Sequence, residues 1–222
     1  MNIYELIGVI IGDGSILYNP KKYQYRLEIF GNATEDYKYF LKLKQFINEI
    51  SGKEPRMRFR KPGKGLTLYI DNKQFVEYLI NKLKLPHGNK TFTVKIPSKF
   101  VSWEYSKHII RGIFESDGCL YFSKSKVHEY PTYPRIEIRS SSPELVNQIV
   151  TILRKNSFKV QTLNPKIGNT AKVYISGDLM LEKWLEEIGI NNPKNLTKFK
   201  IWKKQGYYVP RCTLKERETL LN

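Results

Sequence analysis

Two short stretches of this chain deliver an acid at the end of an apolar run. Leu6-Ile7-Gly8-Val9-Ile10-Ile11-Gly12 leads into Asp13-Gly14, and Ile110-Arg111-Gly112-Ile113-Phe114-Glu115-Ser116 leads into Asp117-Gly118. Asp-Gly alone is a common turn dipeptide and carries little information. Here each run also holds small residues four apart, Gly8 with Gly12 and Gly112 with Ser116. On a helix such residues share one side, so two helices can approach closely along these strips. Packed that way, they place Asp13 and Asp117 side by side at their ends. Two bare carboxylates at that range repel, and one of them keeps its proton. A divalent cation removes the penalty. Mg²⁺ suits the place, with Mn²⁺ as a substitute, because it takes one or two carboxylates and fills its other positions with water and phosphate oxygens. The chemistry this permits is activation of water and stabilisation of a leaving oxygen in phosphodiester hydrolysis.

The two acids stand 104 residues apart (117 − 13), and the surrounding sequence repeats at nearly that distance. Arg26-Leu27-Glu28-Ile29 returns as Arg135-Ile136-Glu137-Ile138, Leu68-Tyr69-Ile70 as Val173-Tyr174-Ile175, and Lys95-Ile96 as Lys200-Ile201. A fixed period of this kind marks duplicated structural units. Each unit predicts the same order of elements. After the first Asp-Gly, strands over 15–18 and 23–30 flank a turn, and apolar spacing predicts a helix over 34–50. A second hairpin follows over 55–60 and 66–70, then a short helix over 73–83. The second unit predicts strands at 119–123 and 135–140, a helix at 143–155, strands at 158–163 and 171–176, and a helix at 179–188. The expected fold is α+β: two pseudo-symmetric αββαββα repeats, over 1–100 and 101–222, with antiparallel sheets covered by helices on one face. The basic tail from about 206 is assigned either to packing on the second unit or to contact with a ligand.

Alternation along the strands identifies what the free faces carry. Arg56, Arg58 and Arg60 share one side of their strand, opposite Met57 and Phe59. Gln24, Arg26 and Glu28 do the same opposite Tyr25, Leu27 and Ile29. In the second unit Arg135, Glu137 and Arg139 form such a face, joined by Lys159, Gln161 and Lys172. A charged strand face is ordinarily only solvated. Two features argue for more: Arg and Gln hydrogen-bond base edges in pairs, and both repeats present the pattern on ribbons that fit a major groove.

Composition agrees. Lys and Arg number 38 against 21 Asp and Glu, a formal charge of +17, which favours a polyanionic partner. Double-stranded DNA is the expected partner; a membrane surface is not, since the basic pattern lies on strands and not on an amphipathic helix. The apolar run near Met1 lacks a basic flank and a cleavage site and is too short to span a bilayer. Cys119 and Cys212 lack ligand or disulfide spacing, which fits a reducing interior. The expected location is therefore intracellular, cytoplasmic or nucleoid-associated.

The paired nonapeptides, each followed by the same series of elements, resemble the LAGLIDADG homing endonucleases over nearly the whole chain, to about residue 205. The resemblance implies a monomer whose motif helices form the interface between two domains. It also implies two saddle-shaped sheets in the major groove of a long, partly palindromic site. The acids at the eighth motif position, here Asp13 and Asp117, would bind the catalytic metals, with the carbonyls of Gly12 and Ser116 adjoining. Each strand would be cut, leaving short 3′ overhangs. The family also places a lysine near the scissile phosphates, which implicates Lys90 and Lys198 as catalytic partners of the aspartates. A glutamine that positions water in some relatives is absent: the matching positions are Gly31 and Ser140, with Asn32 and Ser141 as candidate stand-ins. The sixth motif position, which is not a metal ligand, reads Ile11 and Glu115. The rival reading is an RNA maturase or a DNA-binding protein that kept the fold without cutting. A histidine-based nuclease is disfavoured, because His87, His108 and His128 are scattered.

Overall fold

The computed structural model describes residues 1–60, 62–124, 129–163 and 170–222. Helix α1 (Ile3–Asp13) opens with the Asn2 side chain accepting from the Glu5 N–H. It passes without a loop into β1 (Gly14–Asn19), then β2 (Gln24–Asn32), α2 (Tyr37–Ser51), β3 (Arg56–Arg60) and β4 (Gly65–Asp71). Helix α3 (Lys73–Glu77) continues as a π-helical turn over Tyr78–Lys82. The second unit repeats the series: α4 (Trp103–Asp117), β5 (Gly118–Ser123), β6 (Tyr133–Ser140), α5 (Pro143–Lys155), β7 (Val160–Leu163), β8 (Ala171–Ser176) and α6 (Asp178–Glu187). Two helices follow, α7 (Pro193–Gln205) and α8 (Leu214–Leu221). Both sheets are antiparallel and four-stranded, ordered β1-β2-β4-β3 and β5-β6-β8-β7. Among the described residues no helix is long and apolar enough to cross a membrane.

The expected elements are present with shifted edges. Helix α2 begins at Tyr37 because residues 32–36 form a hydrogen-bonded turn. Asn32 Oδ1 accepts from the N–H groups of Thr34 and Glu35, and Asp36 Oδ2 accepts from the Asn32 N–H. Helices α7 and α8 are additional to the expected elements. His128 lies outside the described residues.

Each sheet buries one face. Leu27, Ile29, Leu68 and Ile70 pack with Phe40, Leu43 and Ile47 of α2, and Ile136, Ile138, Val173 and Ile175 pack with Leu145, Ile149 and Leu153 of α5. Full burial of such a side chain contributes about 1.5–3 kcal/mol. One strand departs from its alternation. Phe59 is 51% exposed, because β3 is an edge strand; its ring lies 6.1 Å from that of Tyr37.

The two units meet along α1 and α4, as the small-residue strips require. A Cβ added at Gly8 would lie 2.0 Å from the Ile109 carbonyl oxygen, and one at Gly112 would lie 2.1 Å from that of Glu5. The helices touch backbone to backbone. At the far end of this seam Glu5 is fully buried, and its carboxylate accepts from Arg111 Nη2 (2.9 Å), the Tyr39 hydroxyl (3.0 Å) and Asn191 Nδ2 (2.8 and 2.9 Å). This network ties the two units together, and removing one partner leaves a buried polar group short of a hydrogen bond.

The tail joins both units. The Leu214 N–H donates to Glu35 Oε1 at 2.9 Å, and Lys38 Nζ donates to Glu218 at 2.6 Å.

Candidate metal centre

Asp13 and Asp117 end α1 and α4 and line one cleft of about 450 Å³ with Gly12, Asn89, Lys90 and Ser140. The glycine after each acid is required by packing: a Cβ at Gly14 would sit 2.5 Å from the Ile10 Cα, and one at Gly118 would sit 2.6 Å from the Phe114 ring and carbonyl oxygen. Only glycine lets the chain turn from helix to strand without pushing the acid away. A carboxylate at a helix C-terminus also faces the negative end of the helix dipole. Burial, together with the nearby charge of Asp117, raises the Asp13 carboxyl to about 7, against the opposing charges of Lys194 and Lys90. Burial likewise raises Asp117, opposed by Lys90 and Lys194. The site therefore stabilises a proton, or a cation in its place.

Lys90 answers part of that demand. Its Nζ donates to the carbonyls of Ile10 (2.8 Å), Ile11 and Gly12 (2.9 Å), capping the last turn of α1. Burial lowers its ammonium to about 8, against the attraction of both aspartates. The Gly12 oxygen, expected beside a metal, is thus shared with this ammonium. The Ser116 hydroxyl turns back to the carbonyls of Gly112 (3.0 Å) and Ile113 (3.1 Å).

Lys198 is placed otherwise than expected. It donates to the Leu120 carbonyl at 3.1 Å, on β5, and the cations that act on Asp117 are Lys90 and Lys194. The lysine that sequence reasoning missed is Lys194, at the second position of α7, with Nζ 3.0 Å from Asp36 Oδ1. The signal was available: Lys194 follows Lys90 by the same 104 residues that separate the aspartates (194 − 90). Asp36 is buried and also accepts from Asn192 Nδ2 at 2.8 Å. Of the stand-ins for glutamine, Asn32 spends its oxygen on the 32–36 turn. Ser141 lines the cleft, with its hydroxyl 3.0 Å from that of Thr170. Glu115 is buried away from the cleft against the Asn191 N–H, and burial raises it to about 8.

The donor set can be tested against a metal. Among the described residues no three His, Cys, Asp or Glu side chains gather at one point, so a cage built wholly from protein ligands does not fit. Two adjoining acids whose charge is disfavoured by burial, opening on a cleft, do fit a hard divalent ion that keeps water and takes phosphate oxygens.

The sheets flank this centre. In the first, register aligns Glu28, Tyr69 and Arg56 in one row, and Gln24, Arg26, Arg58 and Arg60 share that face. Arg26 makes two hydrogen bonds to Asp71 (2.7 and 2.9 Å), with its guanidinium 5.0 Å from the Tyr69 ring. Arg58 lies 3.6 Å from Glu28, and Arg60 lies 5.3 Å from the Phe30 ring. In the second sheet Arg135, Arg139, Gln161 and Lys172 share the matching face, and Lys159 is exposed just before β7. Glu137 is corrected from exposed to buried: it is 3% exposed beneath Arg139 and Lys172, so it holds these cations in place and is not itself presented.

The family model described as the WhiA LAGLIDADG-like domain matches residues 4–95 and again 106–206. The chain belongs to the LAGLIDADG family. A search of curated proteins gives no match. Among solved structures, mesophilic variants of the homing endonuclease I-DmoI superpose with a TM-score of 0.58 at 17% identity, covering 83% of this chain and 93% of theirs. I-DmoI in complex with DNA and Mn gives 0.56 at 17% identity, covering 83% and 94%. The meganuclease I-SmaMI bound to uncleavable DNA gives 0.60 at 10% identity, covering 92% and 90%. These likenesses establish a fold shared with homing endonucleases.

Proposed function

We propose that the chain is a site-specific endonuclease that acts as a monomer on a long, partly palindromic double-stranded DNA site. It would hydrolyse one phosphodiester bond in each strand and leave short 3′ overhangs. The observation that carries this reading is the pair of aspartates that end the two packed helices and line one cleft, between two sheets whose free faces carry arginines. The net charge of +17 supplies attraction to phosphates that does not depend on sequence. Arg56, Arg58, Arg60, Arg135 and Arg139, with Gln24 and Gln161, read base edges in the major groove. Arg26 reads as well, from a position fixed by Asp71. Asp13 and Asp117 would hold Mg²⁺ or Mn²⁺, which would supply an activated water and stabilisation of the leaving oxygen. Lys90 and Lys194 offset charge on the phosphates. Solved I-DmoI complexes contain DNA with Mn, Mg or Ca, which supports a divalent ion at the corresponding place.

One experiment decides between cutting and mere binding. Purified protein is incubated with Mg²⁺ and a library of long duplexes, and cut ends are sequenced. One recurring site with paired cuts is expected. Retention of particular duplexes without any cut end would favour a non-cleaving DNA-binding protein of the same fold. RNA splicing support without DNA cutting would favour a maturase.

A further inference from the structure

The C-terminal segment after Gly206 lies outside the two stretches matched by the family model. Its helix α8 closes on itself through a capping box, in which Thr213 and Glu216 exchange hydrogen bonds. It inserts one charged side chain, Arg217, which is 2% exposed. Every arm of that guanidinium is used. Nε donates to Thr197 Oγ1 (2.9 Å), Nη1 to the Cys212 carbonyl, and Nη2 to Glu35 Oε2 and to the Lys194 carbonyl (3.3 Å).

These partners converge on one residue. Lys194 is held at its carbonyl by Arg217 and at its ammonium by Asp36. Glu35, the ionic partner of Arg217, is the chain neighbour of Asp36. Two parallel ion pairs therefore join adjacent acids of the first unit to α7 and α8. Lys90 is held differently, directly by the carbonyls of α1. We propose that Arg217 is a positioning residue: the tail straps α7 to the first unit, fixes Lys194 beside the aspartates, and so serves one of the two strand cuts. The proposal rests on the reading that this centre cleaves DNA.

The test uses the full chain and a selected duplex with a different label on each strand. Arg217→Met should slow one strand's cut by roughly tenfold or more, because small displacements of positioning groups carry large rate effects. The other strand should stay within about twofold, so singly nicked DNA accumulates. Lys194→Met should slow the same strand, and Arg217→Lys should recover part of the rate. Glu35→Gln removes the ionic partner from a partly exposed position and should give the same strand bias; it carries the test if Arg217→Met does not fold. Equal slowing of both strands in step with lost thermal stability would make Arg217 a stabilising residue only and overturn the proposal. Unchanged cutting in folded variants would also overturn it. A wild-type chain that cuts neither strand would instead overturn the nuclease reading itself, a result distinct from cutting that ignores Arg217.

Discussion

The ammonium of Lys194 lies 3.0 Å from a carboxylate oxygen of Asp36, joining the second unit to the first. Lys90, at the matching repeat position, is held by three backbone carbonyls instead. The two lysines should therefore respond differently to removal. Lys194→Met leaves the buried Asp36 carboxylate short of its ionic partner, and should cost about 3 kcal/mol of stability as well as slowing cleavage. Lys90→Met frees carbonyls that water can reach from the cleft, and should slow cleavage with a smaller stability cost. Denaturant titration of both variants checks this; equal losses of stability would contradict it.

The aspartates should separate binding from chemistry. Asp13→Asn and Asp117→Asn are each expected to abolish double-strand cutting while DNA affinity stays within about tenfold, since phosphate neutralisation supplies most of the affinity. Without metal, Asp13→Asn should also stabilise the fold. The Asp13 carboxyl titrates near 7 in the folded chain and near 3.8 as its ordinary value, so the folded state binds more protons between these pH values. Stability of the wild type then falls as pH rises from about 4 to 7, and the asparagine variant lacks that slope. By pH 8 the variant should lead by up to about 3–4 kcal/mol. Melting curves in chelator across pH 4–8 test the sign, and Mg²⁺ should raise the wild-type midpoint more than the variant's.

Backbone contact makes Gly8 and Gly112 intolerant of even one methyl group. Gly8→Ala and Gly112→Ala should each destabilise by roughly 1–3 kcal/mol or more, because the carbonyl opposite belongs to the partner helix and cannot swing aside as a side chain would. Gly52, whose Cβ would meet nothing within 4 Å, provides the contrast. There the strain of φ +66 is the only penalty for alanine. A wild-type midpoint for Gly8→Ala would refute close approach of α1 and α4.

The strand arginines should divide by how they are held. Arg58 and Arg139 are more than half exposed at their side chains, so alanine there should relax preference at one or two base pairs. A guanine contact is worth about 1–3 kcal/mol of discrimination. Glu137→Gln should alter the same positions as Arg139→Ala, since the buried carboxylate anchors that guanidinium. A cleavage profile over all single-base variants of the site checks both. Uniform weakening at every position would mean that the face contacts only phosphates.

The sequence made visible whatever repeats or alternates. The Gly8–Gly12 and Gly112–Ser116 strips sufficed to place Asp13 beside Asp117, because small residues four apart have few other uses on an apolar helix. The inward faces of β2 and β6 followed from period two. Helix α7 was harder to read: Lys194, Lys198, Lys200, Lys203 and Lys204 break up its apolar stripe. Yet Asn192, Pro193 and Gly206 mark its ends with ordinary capping chemistry. Burial of Glu137 depends on two long cations folding over it, and burial of Arg217 on acids some 180 residues earlier in the chain; no local pattern records either.

A seam made of main chain has little give. Side chains on the sheets can be exchanged without altering the backbone contact between α1 and α4, and that contact holds the acids at their ends close together. In the nuclease proposed above, the address on the DNA and the stagger between the two nicks would be set by separate parts of the molecule. Lineages could drift to new targets through the strand arginines while the central helices, acting as a fixed ruler, kept every pair of cuts the same number of base pairs apart.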